Sequence, residues 1–301
     1  MKQFLRTELG RLVLNNPITV ASGTFSHELN SFYDISKLGA FFTKTITPEP
    51  KIGNPPTRIH KTQYGLLNSI GLQNPGIDAF LEKDILEYKD VTCPRIISFS
   101  ASKISEFESM LETLETNDLI DGYEVNVSCP NVENEGQAFG TEAAIIYDLT
   151  SKLAKLTKKE LIIKLTPNVN NIAEIAKAAE LGGATALSMI NTVYGMAIDW
   201  KTGKSFIKQG VAGYSGPAIK PIALAAVYKS SKEVKIPIIA VGGISKYEDV
   251  LEFIYAGATA VSIGTAQLPE PMLPMKILED LENYCALNNL YLNDIRGKVS
   301  F

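Results

Sequence analysis

Eight short apolar runs recur along the 301-residue chain. They are ITVASG (18–23), AFFTKTI (40–46), RIISFSA (95–101), GYEVNVSC (122–129), LIIKLTP (161–167), ALSMINT (186–192), PIIAVGG (237–243) and AVSIGTA (260–266). Most are rich in β-branched residues and do not alternate apolar with polar. That is the pattern of strands buried on both faces, as in a parallel sheet. The segments between them have helical period: ISEFESMLETLETN, TEAAIIYDLTSKLAKLT, NIAEIAKAAELGG, PAIKPIALAAVYKSSKEV and SKYEDVLEFIYAGA. Gly-Gly or Ala-Gly closes two of them, as helix C-termini often do. LEDLENYCALNN reads as a terminal helix. Strand and helix alternating eight times predict parallel strands with right-handed crossovers. Eight units in about 250 residues suit a closed (β/α)8 TIM barrel, here one α/β domain over 1–301. An open doubly wound sheet is the alternative, but it wants an early GxGxxG and the first strand runs into ASGTFS.

Two connections are too long for plain βα loops, about 47–80 and about 193–217. Both follow strand C-terminal ends, the catalytic face of barrels, and loops of this length are usually lids or binding loops.

Polar side chains gather at the strand tips: Ser22 after strand one, Lys44 and Thr45 at strand two, Asn126, Ser128 and Cys129 at strand four, Lys164 in strand five, Asn191 and Thr192 at strand six. Barrel interiors are normally filled by Val, Ile and Leu. A lysine there is costly unless it meets an anion or a carboxylate. With no Asp or Glu read at the adjoining strand ends, an anionic ligand is favoured over a structural ion pair or a pKa-shifted lysine for Lys44 and Lys164. The last two strands end in GGIS (242–245) and GTA (264–266), each before a helix-forming segment. Glycines there serve either simple turns or the phosphate site that barrels often build after strands seven and eight.

Cys129 lies in NVSCPNVENEGQAFG. An isolated cysteine is usually a small buried hydrophobe, but at a polar strand tip a reactive thiol is favoured. Cys93 and Cys285 carry only the structural reading. His27 and His60 do not lie at strand tips, so neither a metal site nor histidine-based acid–base chemistry is expected.

Composition narrows the classes further. Hydrophobic residues are 45% and charged residues 21%, with a net charge of −4, the balance of an ordinary globular protein. No basic stripe offers a nucleic-acid footprint. No apolar run approaches the roughly 20 residues of a membrane span, and no signal-peptide pattern starts the chain. Three widely spaced cysteines fit a reducing compartment, so a cytoplasmic enzyme is expected.

The motifs resemble the class 1 dihydroorotate dehydrogenases, soluble flavin enzymes of pyrimidine synthesis. The resemblance runs from about residue 8 to 270 and is carried by ASGTF, TKTITPEPKIGNPPTRI, GLLNSIGLQNPG, NVSCPNVENEGQAFG, IKLTPNV, MINT, GVAGYSGPAIKP, VGGI and GTA. NSIGLQNPG and GQAFG look more like the NAD-linked 1B subclass than the fumarate-using 1A subclass.

That resemblance implies FMN across the barrel mouth. Its phosphate would rest on Gly242, Gly243, Gly264 and Thr265, with Gly216 nearby. Ala21, Ser22, Gly23, Lys44, Thr45, Asn126 and Ile190 would line the cofactor, and Lys164 would face the edge where charge accumulates on reduction. Dihydroorotate would be held by Lys44, Asn68, Ser69, Ile70, Gly71, Leu72, Asn126, Asn131, Asn191 and Thr192. Cys129 would remove the C5 proton while hydride passes from C6 to flavin N5. The 1B likeness further implies a partner subunit carrying FAD and a 2Fe-2S cluster, NAD as final acceptor, and a dimer of barrels within a heterotetramer. One segment departs from the pattern. Strand three reads IISFSAS where many 1B relatives read like IIANVAG, so Phe99 stands where an asparagine usually reaches FMN, leaving Ser98 or Ser100 for that contact. Two rival readings stand beside this one: the same oxidation by a fumarate-dependent homodimer, and a non-redox phosphate-ligand barrel with a structural Cys129.

Overall fold

A computed structural model describes residues 3–25, 30–128 and 139–301. Eight parallel strands form one sheet: β1 (Ile18–Val20), β2 (Phe41–Phe42), β3 (Arg95–Phe99), β4 (Gly122–Asn126), β5 (Glu160–Leu165), β6 (Ala186–Met189), β7 (Ile238–Val241) and β8 (Ala260–Ile263). Each falls within an expected apolar run or begins one residue ahead of it. β8 pairs with β1 through Val261 and Ile18. A parallel bridge between Thr19 and Ala40 joins β1 to β2, so the sheet closes on itself as a barrel.

Alternation along the strands sorts side chains between two compartments. Ala40, Phe42, Ile96, Ile162, Ala186, Ile239 and Ala260 fill the lower interior. Ile97, Phe99, Tyr123, Val125, Leu161 and Ile163 face the helix layer. Strands buried on both faces need apolar residues at consecutive positions, which is why β5 is buried along its whole length.

The helices α1 (Ile77–Glu82), α2 (Ile104–Glu115), α3 (Ala143–Leu156), α4 (Ile172–Leu181), α5 (Lys220–Glu233), α6 (Tyr247–Ala256) and α7 (Leu273–Leu287) cover the sheet. In α2 the buried residues are Phe107, Met110, Leu111 and Leu114, one stripe at helical spacing. Gly257 ends α6 in the left-handed region at φ 114°, where a side chain would be strained.

Two elements differ from the expected pattern. Between β1 and β2 the described residues hold no α-helix, only 3-10 conformation at 30–31 and in the turn Ile35–Lys37. Asp34 accepts from the Ser36 amide and Leu38 N–H closes on the Ile35 carbonyl, ending the turn after three residues. A hairpin, Thr7–Leu9 with Leu12–Leu14, precedes the barrel. Its Leu9 and Leu14 are fully buried against the lower interior and plug that end. Glu160 fastens the plug by accepting from the Arg11 amide at 2.7 Å and the Thr185 hydroxyl at 2.6 Å.

The two long connections are not separate loops. Strands Ile59–Lys61 and Leu66–Asn68 from the first pair antiparallel with each other. Leu66–Asn68 then pairs with Ala212–Ser215 from the second, which pairs with Val193–Gly195. This four-stranded sheet stands beside the barrel mouth, because its strands arise from the C-terminal ends of β2 and β6.

Candidate active site

The polar residues named from the sequence that are among the described residues converge at the C-terminal end of the barrel. Lys164 on β5 donates from Nζ to Ser22 Oγ at 2.8 Å, linking the fifth strand to the loop after β1. Thr45, past β2, pairs with Ser98 Oγ on β3 at 2.9 Å. Asn191, past β6, donates to Ser128 Oγ at 2.7 Å and to Asn126 Oδ1 at 3.4 Å. Its own Oδ1 accepts from the Thr192 amide. Asn126 is buried, yet its side-chain NH2 makes no hydrogen bond among the described residues. Among the described residues that NH2 group is available to a ligand.

Lys44 is half-buried and forms no ion pair among the described residues. Burial first, and then the positive charge of Lys164, hold its pKa below the ordinary lysine range. Gly23 leaves room for it: at φ 79° a Cβ on Gly23 would come within 2.9 Å of Lys44 Nζ. A cleft of about 750 Å³ opens here, lined by Gly23, Phe25, Lys44, Lys51, Gln73 and Asn74 among others. A second cavity, of about 910 Å³, lies at the opposite end, between the N-terminal hairpin and the chain's last turns. No strand C-terminus contributes to it, so it is separate from the mouth.

One expectation is overturned. An acidic partner does stand at the adjoining strand: Glu124, on β4 beside Lys164. Its Oε1 lies 3.5 Å from Nζ, both side chains being almost fully buried. Ser98 donates to the same oxygen at 3.0 Å. Lys164 is therefore part of a buried ion pair as well as a candidate for an anionic ligand. The signal was present in GYEVNVSC: Glu124 shares interior parity with Asn126, and an acid at such a position needs a partner.

The segment Asn68–Leu72 leaves the outer sheet and returns towards the cleft. Asn68 pairs with Ile59 and Gly213. Ser69 accepts from Asn54 Nδ2 at 2.9 Å, and the Ile70 carbonyl from the Asn54 amide at 2.9 Å. Gly71 and Leu72 both have positive φ, 75° and 52°. The residue that holds this turn was missed. Asn74 accepts from the amides of Thr47 and Gly76 and donates to Thr47 Oγ1 and the Leu72 carbonyl.

At the end of β7 the glycines are tightly constrained. Gly243 has φ 76°, and a Cβ there would lie 2.9 Å from the Lys220 amide nitrogen. Gly242 and Gly216 also have positive φ. Over Gly264 the space is open except for Ala21 Cβ at 3.6 Å. Thr265 donates to Ser215 Oγ at 2.7 Å, tying β8 to the outer sheet. Ala21 N–H donates to the Ile263 carbonyl, and Ile190 N–H to the Val241 carbonyl. Phe99 lies away from this mouth. It is fully buried in the helix-facing layer against Phe107 and Tyr123, while Ser98 takes the interior position. Cys129 and Asn131 lie outside the described residues, as does His27. His60 stacks on Phe206 in the outer sheet, and Cys93 and Cys285 are buried as expected. No helix among the described residues is long and apolar enough to cross a membrane.

Fold and mouth together define a class: a (β/α)8-barrel enzyme with its polar chemistry gathered at the strand C-termini. The family model for dihydroorotate dehydrogenase matches residues 4–285. The chain's relatives include three named dihydroorotate dehydrogenase B (NAD(+)), catalytic subunit. That of Thermoanaerobacter pseudethanolicus is 47% identical over 298 residues, 98% of each chain. That of Geobacter metallireducens is 42% identical over 95% of this chain and 94% of its own. That of Malacoplasma penetrans is 41% identical over 98% and 97%. The chain belongs to the dihydroorotate dehydrogenase family.

Proposed function

We propose that this chain oxidises dihydroorotate to orotate in pyrimidine biosynthesis, as an NAD-linked enzyme, with FMN as its own cofactor. Family membership supports the reaction. The observation that carries the site assignment is the convergence of Lys44, Lys164 and Asn126 on one barrel mouth. The residues present suit FMN. Open space over Gly264, beside Gly243 and Gly216, leaves backbone able to approach a phosphate closely. Two ammonium groups suit a ring that gains negative charge on reduction. Gly216, Gly242, Gly243, Gly264 and Thr265 would hold the phosphate. Ala21, Ser22, Gly23, Lys44, Thr45, Asn126, Lys164 and Ile190 would hold the rest of the cofactor. When bound, FMN would supply the hydride acceptor.

Substrate would be oriented by Asn68, Ser69, Ile70, Gly71 and Leu72 from the first long connection, and by Asn126, Asn131, Asn191 and Thr192. Amides match the alternating donors and acceptors of a pyrimidine dione, and Lys44 matches its carboxylate. Cys129 would take the C5 proton; a thiol titrating near about 8.5 serves as a base under mildly alkaline conditions. The relatives' name, catalytic subunit, supports a partner chain. We take that partner to be an FAD and 2Fe-2S electron-transfer subunit, in a heterotetramer built on a dimer of barrels. The test is anaerobic. The purified chain reconstituted with FMN should be yellow and should bleach on adding dihydroorotate. A chain that stays yellow, or that never takes up FMN, overturns the reading.

A further inference from the structure

Glu124 has no part in the assignment above, yet among the described residues it is the most deeply enclosed charge at the mouth. Its side chain is 2% exposed and that of Lys164 is 7%. A carboxylate left alone at such a place costs several kcal/mol, so what surrounds it is informative. Its Oε1 accepts from Ser98 Oγ and faces Lys164 Nζ. Ser98 is held in turn by Thr45 Oγ1 at 2.9 Å and, through its amide, by Thr43 Oγ1 at 3.1 Å. Hydroxyls from two neighbouring strand ends therefore fix where the carboxylate stands.

Lys164 is gripped from two sides, by Glu124 and by Ser22 Oγ at 2.8 Å. Of its three N–H donors, one remains without a partner among the described residues. Among the described residues, the charged groups facing it are Glu124 from β4 and Lys44 from the end of β2. The neighbouring strands place uncharged polar residues opposite it, Asn126 on β4 and Ser188 on β6; Ser98 on β3 reaches Glu124, and Cys129 lies outside the described residues.

We propose that Glu124 is a positioning residue for the proposed flavin site: it anchors the Lys164 ammonium and, as its counter-charge, leaves the Lys44–Lys164–Glu124 group with one net positive charge instead of two. The inference rests on the flavin reading above. Its consequence has a definite sign. A purely structural loss at this place would loosen the mouth and weaken every ligand. Loss of a counter-charge strengthens the binding of anions instead.

Glu124→Gln keeps the shape and the acceptor for Ser98 but removes the charge. Its affinity for orotate, measured by calorimetry on the FMN-loaded protein, should tighten by about ten-fold, the effect of one unit charge some 10 Å away at an intermediate dielectric. Sulfite, an anionic probe that adds to oxidised flavin, should bind tighter by a similar factor. Unchanged or weakened binding of both anions overturns the proposal. Glu124→Asp keeps the charge on a shorter arm and should stay within about two-fold of the parent protein. A tightening of the size expected for Gln in this variant overturns the charge argument even if the Gln variant does not fold. Failure of the parent protein to bind FMN would instead sink the flavin reading, so the two failures are distinguishable.

Discussion

Two residues at the mouth carry the sharpest expectations. Cys129→Ala should retain FMN, because the proposed cofactor contacts lie elsewhere, and should lose turnover by about 10²–10⁴-fold, the usual contribution of a positioned base. Stopped-flow reduction with dihydroorotate checks this; near-parental rates would remove Cys129 from the chemistry. Lys44 offers a test by stability. Its pKa is lowered, by burial first and by Lys164 second, so above that lowered value the folded chain holds fewer protons than the unfolded one. Lys44 therefore costs stability at neutral pH, and the cost fades as pH rises from its folded towards its unfolded value. Lys44→Met keeps the apolar stem, and should raise the melting temperature of the cofactor-free protein at pH 7 by a few degrees, about 2–4 °C per kcal/mol. The gain should shrink on the alkaline side, while orotate binding is lost.

The runs that became strands were legible because a strand buried on both faces leaves a block of β-branched residues whatever the loops do. The helices were legible from their buried stripes. The pairing of the two long connections was not. Strands Leu66–Asn68 and Ala212–Ser215 meet from sites 149 residues apart, as in the bond from Ser215 Oγ to the Leu66 carbonyl, and short antiparallel pairs of mixed composition carry no period long enough to read. Asn74 is the local anchor of this arrangement, through four hydrogen bonds to Thr47, Gly76 and Leu72. Asn74→Ala strands several of those partners and should cost about 2–4 kcal/mol in urea unfolding. Faster amide exchange at Thr47 and Gly76 should accompany it. A loss under about half a kcal/mol would mean that the connection is held by the outer sheet alone.

At the scale of the whole barrel, Glu160 joins the N-terminal plug to β5 and to Thr185. Burial raises its pKa more than the Thr185 and Arg11 hydrogen bonds lower it. An acid with a raised folded pKa binds more protons folded than unfolded, so its contribution to stability falls as pH climbs from the unfolded value through the folded one. Glu160→Gln can still accept from the Arg11 amide, and should flatten that part of the stability profile in urea titrations run upward from the ordinary carboxylate value of about 4.3. A profile identical to that of the parent protein would show that Glu160 is not the group responsible. The sequence alone determined the barrel, the order of its strands and most of the polar residues at its mouth, because strand periodicity and strand-end position are properties of contiguous residues. It did not reveal that Glu124 stands against Lys164, that Phe99 turns to the helix layer, or that Leu9 and Leu14 close the far end. Those outcomes depend on which strands become neighbours and on which side each side chain emerges once the sheet has closed, and closure is a property of the folded molecule.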